Sequence, residues 1–410
     1  MLVFNSVPGV GTPTYQAESI WSAALALGFP AAVWRLPNRN EIKLSISLGG
    51  DIQRQKTDLE ALPACFVIHP FAEDEDSYVL EGDLIFTFSE ESGLQDVVNK
   101  LGDEHPKVKV FFDQIAEADP VAKSASLTRP DSVFSQVRDT DEASRFQALV
   151  SKAVTAIKAG ELAKIVLSRT KKKSYSEDFQ PYQAFARLQK TYPAAFVSLV
   201  NLPDRNEQWL GASPETLVAV DAQGIFRTTS LAGTQTALDA QGVPYPAGEV
   251  RWGQKEIQEQ ALVSRYIVEC FKKIRLREYY ENGPKTVRAG NLYHLRTDFE
   301  VHTADLNFPE LGTVMLELLH PTSAVCGTPK EAALRFIEEG EGYDRSLYSG
   351  YLGPVNVDQE LALFVNLRTM RLSDGTATLF AGAGITEDSD PQREWEETEM
   401  KCQTLLAVLT

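Results

Sequence analysis

Two stretches of this chain carry glutamates three residues apart, Glu256 with Glu259 and Glu394 with Glu397. On a helix that spacing puts both carboxylates of a pair on one face, where like charges repel unless solvent or a cation separates them. Carboxylate oxygen suits a hard divalent ion such as Mg²⁺, with water and an anionic ligand filling its six positions. For any single pair a solvated acidic face is the simpler account, and it is the one expected for Glu396 and Glu399.

Lys164 and Glu215 form a candidate base and acid. A lysine takes a proton at neutral pH only where burial or a nearby cation lowers its pKa, and a glutamate in an apolar bend can stay protonated and donate. An exposed strand lysine is the plain alternative for Lys164. Gly233 in "LAGT", with Gly382 and Gly384 in "AGAG", can bring backbone N–H groups close to an anion, although such glycines mostly mark turns. Arg368 and Lys401 can pair with ligand carboxylates; an i, i+4 pair between Lys401 and Glu397 is the plain alternative. His294 and His320 have no second His or Cys at zinc spacing and are expected to be core or loop histidines. The chain lacks GxGxxG, GxxxxGK[ST] and GxSxG, so nucleotide cradles and hydrolase elbows find no support.

The elements that must position these residues are legible in part. Phe146, Leu149, Val150, Ala153, Val154 and Ile157 follow helical spacing and Gly160 supplies a stop, so 142–159 is expected to be a helix. "LAKIVLSRT" alternates with period two, placing Lys164, Val166 and Ser168 on one strand face and Ile165, Leu167 and Arg169 on the other. "AAFVSLVNL" and "EQWLGASPETLVAVDAQGIFRTTSLAGT" read as antiparallel strands, with "DAQG" as a hairpin turn and "GASP" as a bend. "GQKEIQEQALVSRYIVECFKKI" reads as a helix whose stripe is Ile257, Ala261, Tyr266, Ile267, Cys270 and Phe271. "LALFVNLRTMRL" and "TATLFAGAGI" are strand-like, and "PQREWEETEMKCQTLLAVL" is helical with Pro391 in its first turn. Residues 1–130 alternate short apolar runs with Gly, Pro and Asp, and 124–142 is expected to be a surface crossing within one fold rather than a linker. Strands and helices come in groups, which predicts an α+β fold with mainly antiparallel sheet.

A net charge of -17 argues against nucleic acid or an anionic membrane as partner. With 43% hydrophobic and 24% charged residues, the 410-residue chain can bury a large core. The four cysteines are widely spaced and fit a reduced compartment. The N-terminus has no basic region before an apolar run, and Ile20 to Trp34 is interrupted by Ser22, Gly28 and Pro30, so neither export nor a membrane span is expected.

Taken together, an ordered series of blocks resembles the chorismate-utilising enzymes: isochorismate synthase, salicylate synthase and the large subunits of anthranilate and aminodeoxychorismate synthases. The blocks are "KIVLSR" (164–169), "GASPETL" (211–217), "SLAGT" (230–234), "KEIQEQ" (255–260), "HPTSAVCGTPK" (320–330), "DRSLYSGYLGP" (344–354), "LRTMR" (367–371) and "AGAGITEDSDPQREWEETEMK" (381–401). The resemblance spans about residues 140–410, with a variable part over 1–130, and implies one domain, two antiparallel β-sheets flanked by helices, with the active site between the sheets. It implies Lys164 as the base that activates water at chorismate C2 and Glu215 as the acid that protonates the departing C4 hydroxyl. It implies Glu259 and Glu397 as Mg²⁺ ligands, with Glu256 and Glu394 as water-mediated partners. Tyr348, Arg368, Lys401 and the amides around Gly382 and Gly384 match contacts to the substrate carboxylates; Gly233 and Thr234 match the wall near the C4 hydroxyl.

Within that family, ammonia-using members usually lack a lysine at the position of Lys164. Where the aminodeoxychorismate type often shows "PIKGT", this chain has "SLAGT", and "GTQTAL" stands where anthranilate synthases show "GTRPRG". Salicylate synthases commonly carry Thr at the position of Ala324. The frequent Glu-His pair of the metal helix is Glu259-Gln260 here. With these residues, the resemblance implies a cytoplasmic, Mg²⁺-dependent isochorismate synthase acting on chorismate as a monomer or dimer, with its product feeding either menaquinone or a siderophore. Salicylate synthase is the second reading, and a non-catalytic chorismate-binding protein the reading from another class.

Overall fold

The computed structural model describes residues 15–90, 92–117, 134–136, 141–176, 178–238, 245–289, 292–303, 306 and 308–409. Most of the expected crossing at 124–142 lies outside the described residues.

Among the described residues every strand pairing is antiparallel, in two sheets of eleven and nine strands. The larger sheet carries Lys164–Tyr175 beside Thr376–Ile385, then Thr369–Ser373, Glu207–Ser213, Phe196–Leu202, Ala31–Arg35, Glu41–Ile46, Leu84–Ser89 and Gly93–Asn99. The smaller runs from Tyr280–Ala289 through Leu292–His302, Ile225–Thr236, Thr216–Val220, Leu361–Val365 and Tyr351–Val355 to Cys65–His69, Ser77–Glu81 and Gln53–Gln55.

The central strands are apolar on both faces because both faces are covered. Along Ala31–Arg35, Ala31 and Val33 pack into one cluster with the helices Ala17–Ala26, Pro106–Glu117 and Pro181–Thr191, while Ala32 and Trp34 pack into another toward the second sheet. Cys65 and Val67 likewise join the helices Gln254–Lys273 and Leu311–Leu319, and Phe66 and Ile68 face the first sheet. The layers are therefore helix, sheet, sheet, helix. The inter-sheet layer is aromatic: Phe196 stacks on Phe364 with centroids 4.1 Å apart, and Phe380 stacks on Trp209 at 5.4 Å and Tyr348 at 5.2 Å.

Most expected elements form. Helices run Glu142–Lys158, Gln254–Lys273 and Pro391–Leu409, and "DAQG" closes the hairpin between Thr216–Val220 and Ile225–Thr236, with Gly224 at φ +74°. Two expectations fail. "LALFVNLRTMRL" is two strands, Leu361–Val365 and Thr369–Ser373, which belong to different sheets. In the helix Gln254–Lys273, Ile257 and Ala261 face solvent and the buried residues of the first turns are Glu259 and Gln260. That face looks onto a polar cavity rather than an apolar core.

Candidate active site

Where the aromatic inter-sheet layer ends, at Tyr348 and Phe380, a cavity opens between the sheets. Of the residues singled out from the sequence, Lys164, Glu215, Gly233, Thr234, Glu259, Ala324, Tyr348, Arg368, Gly382, Gly384, Glu397 and Lys401 all line it. Val166, Leu231, Ala232, His294 and Phe380 line it as well.

Lys164 opens the strand Lys164–Tyr175, between the strand Thr376–Ile385 on one side and the short strand Gly327–Thr328, whose Thr328 it pairs with, on the other. The alternation holds: Lys164 and Val166 face the cavity, and Ile165 and Leu167 pack beneath the helix Glu142–Lys158. Lys164 is buried, not at an exposed edge. Desolvation lowers its pKa against the opposing pull of Glu259 and Glu215. Glu215 sits in the bend that carries the chain from Glu207–Ser213 in one sheet to Thr216–Val220 in the other. Burial raises its carboxyl to about 8, although Lys164, Arg368 and Lys401 act to lower it.

The strand is held from behind. Glu341, fully buried, accepts from Ser168 N and Oγ and from Arg345, whose guanidinium also donates to the carbonyls of Val166 (2.8 Å) and Val325 (2.7 Å). Val166 and Val325 are both cavity wall.

Gly382 and Gly384 pair with Ser168 and Val166, but Ser168 N bonds Glu341 and Val166 N bonds Cys326 O, so neither position spans a hydrogen-bonded pair. A strand residue points its N–H and C=O the same way, and Gly382 O accepts from Lys401 Nζ at 2.6 Å. The two glycine amides therefore look away from the neighbouring strand. A Cβ on Gly384 would stand 3.2 Å from Lys164 Cε and 3.3 Å from Glu259 Oε1; one on Gly382 would stand 2.9 Å from the Tyr348 hydroxyl.

Two acids, Glu259 and Glu397, line one end of the cavity, and a third, Glu394, lies outside its lining against Lys255. Glu259 comes from the helix Gln254–Lys273, and Glu394 and Glu397 from Pro391–Leu409. Burial raises Glu259 and, helped by the charge of Glu397, brings Glu394 to about 6. For Glu397 burial is outweighed by Lys401, 2.7 Å away, and Lys255, and its pKa falls. Lys255 lies 2.6 Å from Glu394 and 3.6 Å from Glu259. Glu259 Oε1 and Glu394 Oε2 are buried without a hydrogen-bond partner, and hard, unmet carboxylate oxygens of this kind fit a divalent cation. Among the described residues no three such side chains stand together as a preformed cage. Glu256, expected as a water-mediated metal partner, also caps its helix: Oε2 accepts from Gly253 N at 2.8 Å, because a first-turn carboxylate is drawn to the unsatisfied N–H groups there. Glu399, expected to be solvated, pairs with Arg169 and with Lys171 (2.5 Å).

His294 is the cavity residue that sequence reasoning left in the core. It is buried on Leu292–His302, and burial, helped by Arg368, takes its pKa down to about 3. Its place in the strand's period would have pointed it inward, but nothing local shows its partners Gly233 and Arg368. His320 is packed edge-on against His69 and Tyr351.

The family model described as "Chorismate binding enzyme" matches residues 84–410, beginning upstream of the 140 expected from the motif series. The salicylate biosynthesis isochorismate synthase of Pseudomonas aeruginosa is 33% identical over 277 residues, covering 66% of this chain and 55% of that protein. Isochorismate synthase EntC of Escherichia coli K12 is 30% identical over 268 residues, 65% of this chain and 67% of EntC. Among solved structures, a putative 2,3-dihydroxybenzoate-specific isochorismate synthase, DhbC, from Bacillus anthracis superposes with a TM-score of 0.70 at 23% identity, covering 93% of this chain and 96% of that one. The menaquinone-specific isochorismate synthase MenF of Escherichia coli also gives 0.70, at 22% identity, covering 98% and 94%. These structures share the fold, two antiparallel sheets with helices outside, and the family match runs over most of the sequence. The chain belongs to the chorismate-binding enzyme family.

Proposed function

We propose that this protein is an isochorismate synthase, converting chorismate to isochorismate. One observation carries the reading: Lys164 and Glu215 are buried in one cavity and desolvation moves them in opposite directions, the amine toward its neutral form and the carboxyl toward its protonated one. Both shifts run toward a neutral base beside a protonated acid, the pair that acid–base catalysis needs. Lys164 removes a proton from water as its oxygen bonds to ring C2. The ring double bonds shift, the C4–O bond breaks, and Glu215 delivers its proton to the departing hydroxyl, which leaves as water. One water enters and one leaves, so the sum is an isomerisation.

Arg368, Lys401, Tyr348 and the amides of Gly382 and Gly384 hold the substrate's two carboxylates, and Gly233 and Thr234 face the C4 hydroxyl. Ala324, on the opposing loop, leaves room beside the ring. Glu259 and Glu397 would hold Mg²⁺, with Glu256 and Glu394 through water. When bound, that ion supplies the positive charge that lets a dianion sit against the acidic helices. The similarity to two isochorismate synthases at 30% identity or above supports this choice over an amine-transferring relative. The pathway reading, menaquinone or siderophore, stays open among the relatives, which are named menaquinone-specific, 2,3-dihydroxybenzoate-specific and vibriobactin-specific. No described helix is long and apolar enough to cross a membrane. A cytoplasmic monomer or dimer is the state proposed, on the family resemblance alone.

The test is purified protein with chorismate and Mg²⁺, analysed by chromatography. Isochorismate as the product is expected. Salicylate with pyruvate would move the chain to the lyase reading, and calorimetric chorismate binding without turnover would make it a binding protein. Chelation should stop turnover, and added Mg²⁺ should raise Tm through the unmet oxygens of Glu259 and Glu394; a Tm indifferent to Mg²⁺ up to millimolar would remove the metal from the scheme.

A further inference from the structure

Gly233 and Arg368 reach the cavity from elements far apart in sequence, and His294 stands between them. Its Nδ1 lies 2.9 Å from Gly233 O, and its Nε2 lies 3.4 Å from Arg368 Nη2. A carbonyl only accepts, so Nδ1 carries a proton; a guanidinium only donates, so Nε2 must be bare to face it. A doubly protonated ring would set two donors against each other at Nε2. The geometry thus admits one tautomer. Thr234 Oγ1, at 3.4 Å from Nδ1, adds a second contact with the same wall.

Arg368 needs such a partner. It has φ +48° between Leu361–Val365 of one sheet and Thr369–Ser373 of the other, a left-handed conformation disfavoured for a residue with a Cβ. Its carbonyl is tied to Ala212 N at 3.0 Å, which fixes the backbone, but its long side chain has several rotatable bonds. Its head lies within reach of no carboxylate at ion-pair distance among the described residues. The imidazole Nε2 is the contact recorded for its fork.

Resting on the proposed function, we propose that His294 is a positioning residue: with its proton on Nδ1 anchored at Gly233 O, its bare Nε2 receives one N–H of Arg368 and so aims the rest of the fork at a substrate carboxylate. The aim matters because an arginine meets a carboxylate best through two parallel N–H bonds, and a mis-rotated fork offers one. One imidazole also ties the Gly233–Thr234 wall to the carboxylate-binding end, so the two walls keep a constant separation.

Three variants and one spectrum test this. His294→Gln places a carbonyl oxygen near the ε position and can still receive Arg368; His294→Asn keeps a donor near the δ position for Gly233 but cannot reach Arg368; His294→Ala does neither. Loss of one charged hydrogen bond corresponds to about tenfold or more in affinity. KM for chorismate is therefore expected to rise at least about tenfold in His294→Ala and His294→Asn, with a smaller change in kcat, and His294→Gln should return KM to within about threefold of wild type. A KM within about twofold of wild type in the Ala or Asn variant, or rescue by Asn as good as by Gln, would overturn the proposal. If His294→Ala fails to fold, the Gln and Asn pair decides alone.

Long-range ¹⁵N–¹H correlation of the imidazole at pH 7, on the wild-type protein without substrate, gives an independent reading. The expected spectrum is a neutral ring with the proton on Nδ1; an Nε2–H tautomer or an imidazolium would refute the arrangement. Should wild-type protein leave chorismate unchanged, the proposed function fails while this spectrum still judges the hydrogen-bond assignment.

Discussion

An amine and a carboxyl buried in the same cavity answer desolvation in opposite senses, and the pH dependence of turnover follows. Lys164 works when neutral, so its contribution grows as pH rises through its lowered pKa; Glu215 works when protonated, so its contribution is lost as pH rises through about 8. A bell-shaped kcat/KM profile is expected with its alkaline limb near pH 8, and a profile flat from pH 7 to 9.5 would dismiss Glu215 as the acid. Lys164→Ala and Glu215→Gln should each lower kcat by about 10²–10⁴-fold, with circular dichroism unchanged. Gly384→Ala tests the closeness of base and metal-side acid. Its methyl would crowd both Lys164 and Glu259, and since a misplacement of about 1 Å can cost about 10²-fold, a drop of about 10- to 100-fold in kcat/KM is expected. Full activity in that variant would show that the two side chains give way freely. Lys164, Glu215, Glu259 and Glu397 were legible as types and spacings, but their states were not: the pKa of a strand lysine depends on what covers it, and Glu215 is covered by segments more than a hundred residues away.

Elements hold the chemistry in register by contacts that local pattern cannot display. The buried pair Glu341–Arg345 pins Ser168 and Val166 of the base-bearing strand and Val325 of the opposite wall. Glu341→Ala would leave an uncompensated buried guanidinium, at a cost of about 3–5 kcal/mol in unfolding free energy measured with urea. A cost below about 1 kcal/mol would mean the strand does not need this brace. Helix and strand periodicity located the main elements, since apolar spacing is set by the layer each packs against. It misassigned Ile257 and Ala261 for the same reason: the stripe rule assumes an oily interior, and the first turns of Gln254–Lys273 face a polar one through Glu259 and Gln260. "LALFVNLRTMRL" looked continuous because apolar residues run through both halves; the left-handed turn at Arg368 has no compositional mark, glycine being absent there.

For the molecule as a whole, antiparallel sheet and flanking helices could be inferred from grouped elements, and the order of strands could not. Lys164–Tyr175 lies beside Thr376–Ile385 across two hundred residues, and the first strands, Ala31–Arg35 and Glu41–Ile46, join the same sheet as the last. The aromatic layer between the sheets is what seals the cavity floor. Phe364→Ala would open a void opposite Phe196 and should cost about 3–5 kcal/mol, judged by chemical denaturation; a much smaller loss would mean the layers close up around the gap.

Arg368 is both a cavity residue and the stitch by which the chain leaves one sheet for the other. A carboxylate gripped there pulls on Leu361–Val365 and Thr369–Ser373 together, so ligand should slow amide deuteration in both strands at once, knitting two layers that would otherwise breathe separately.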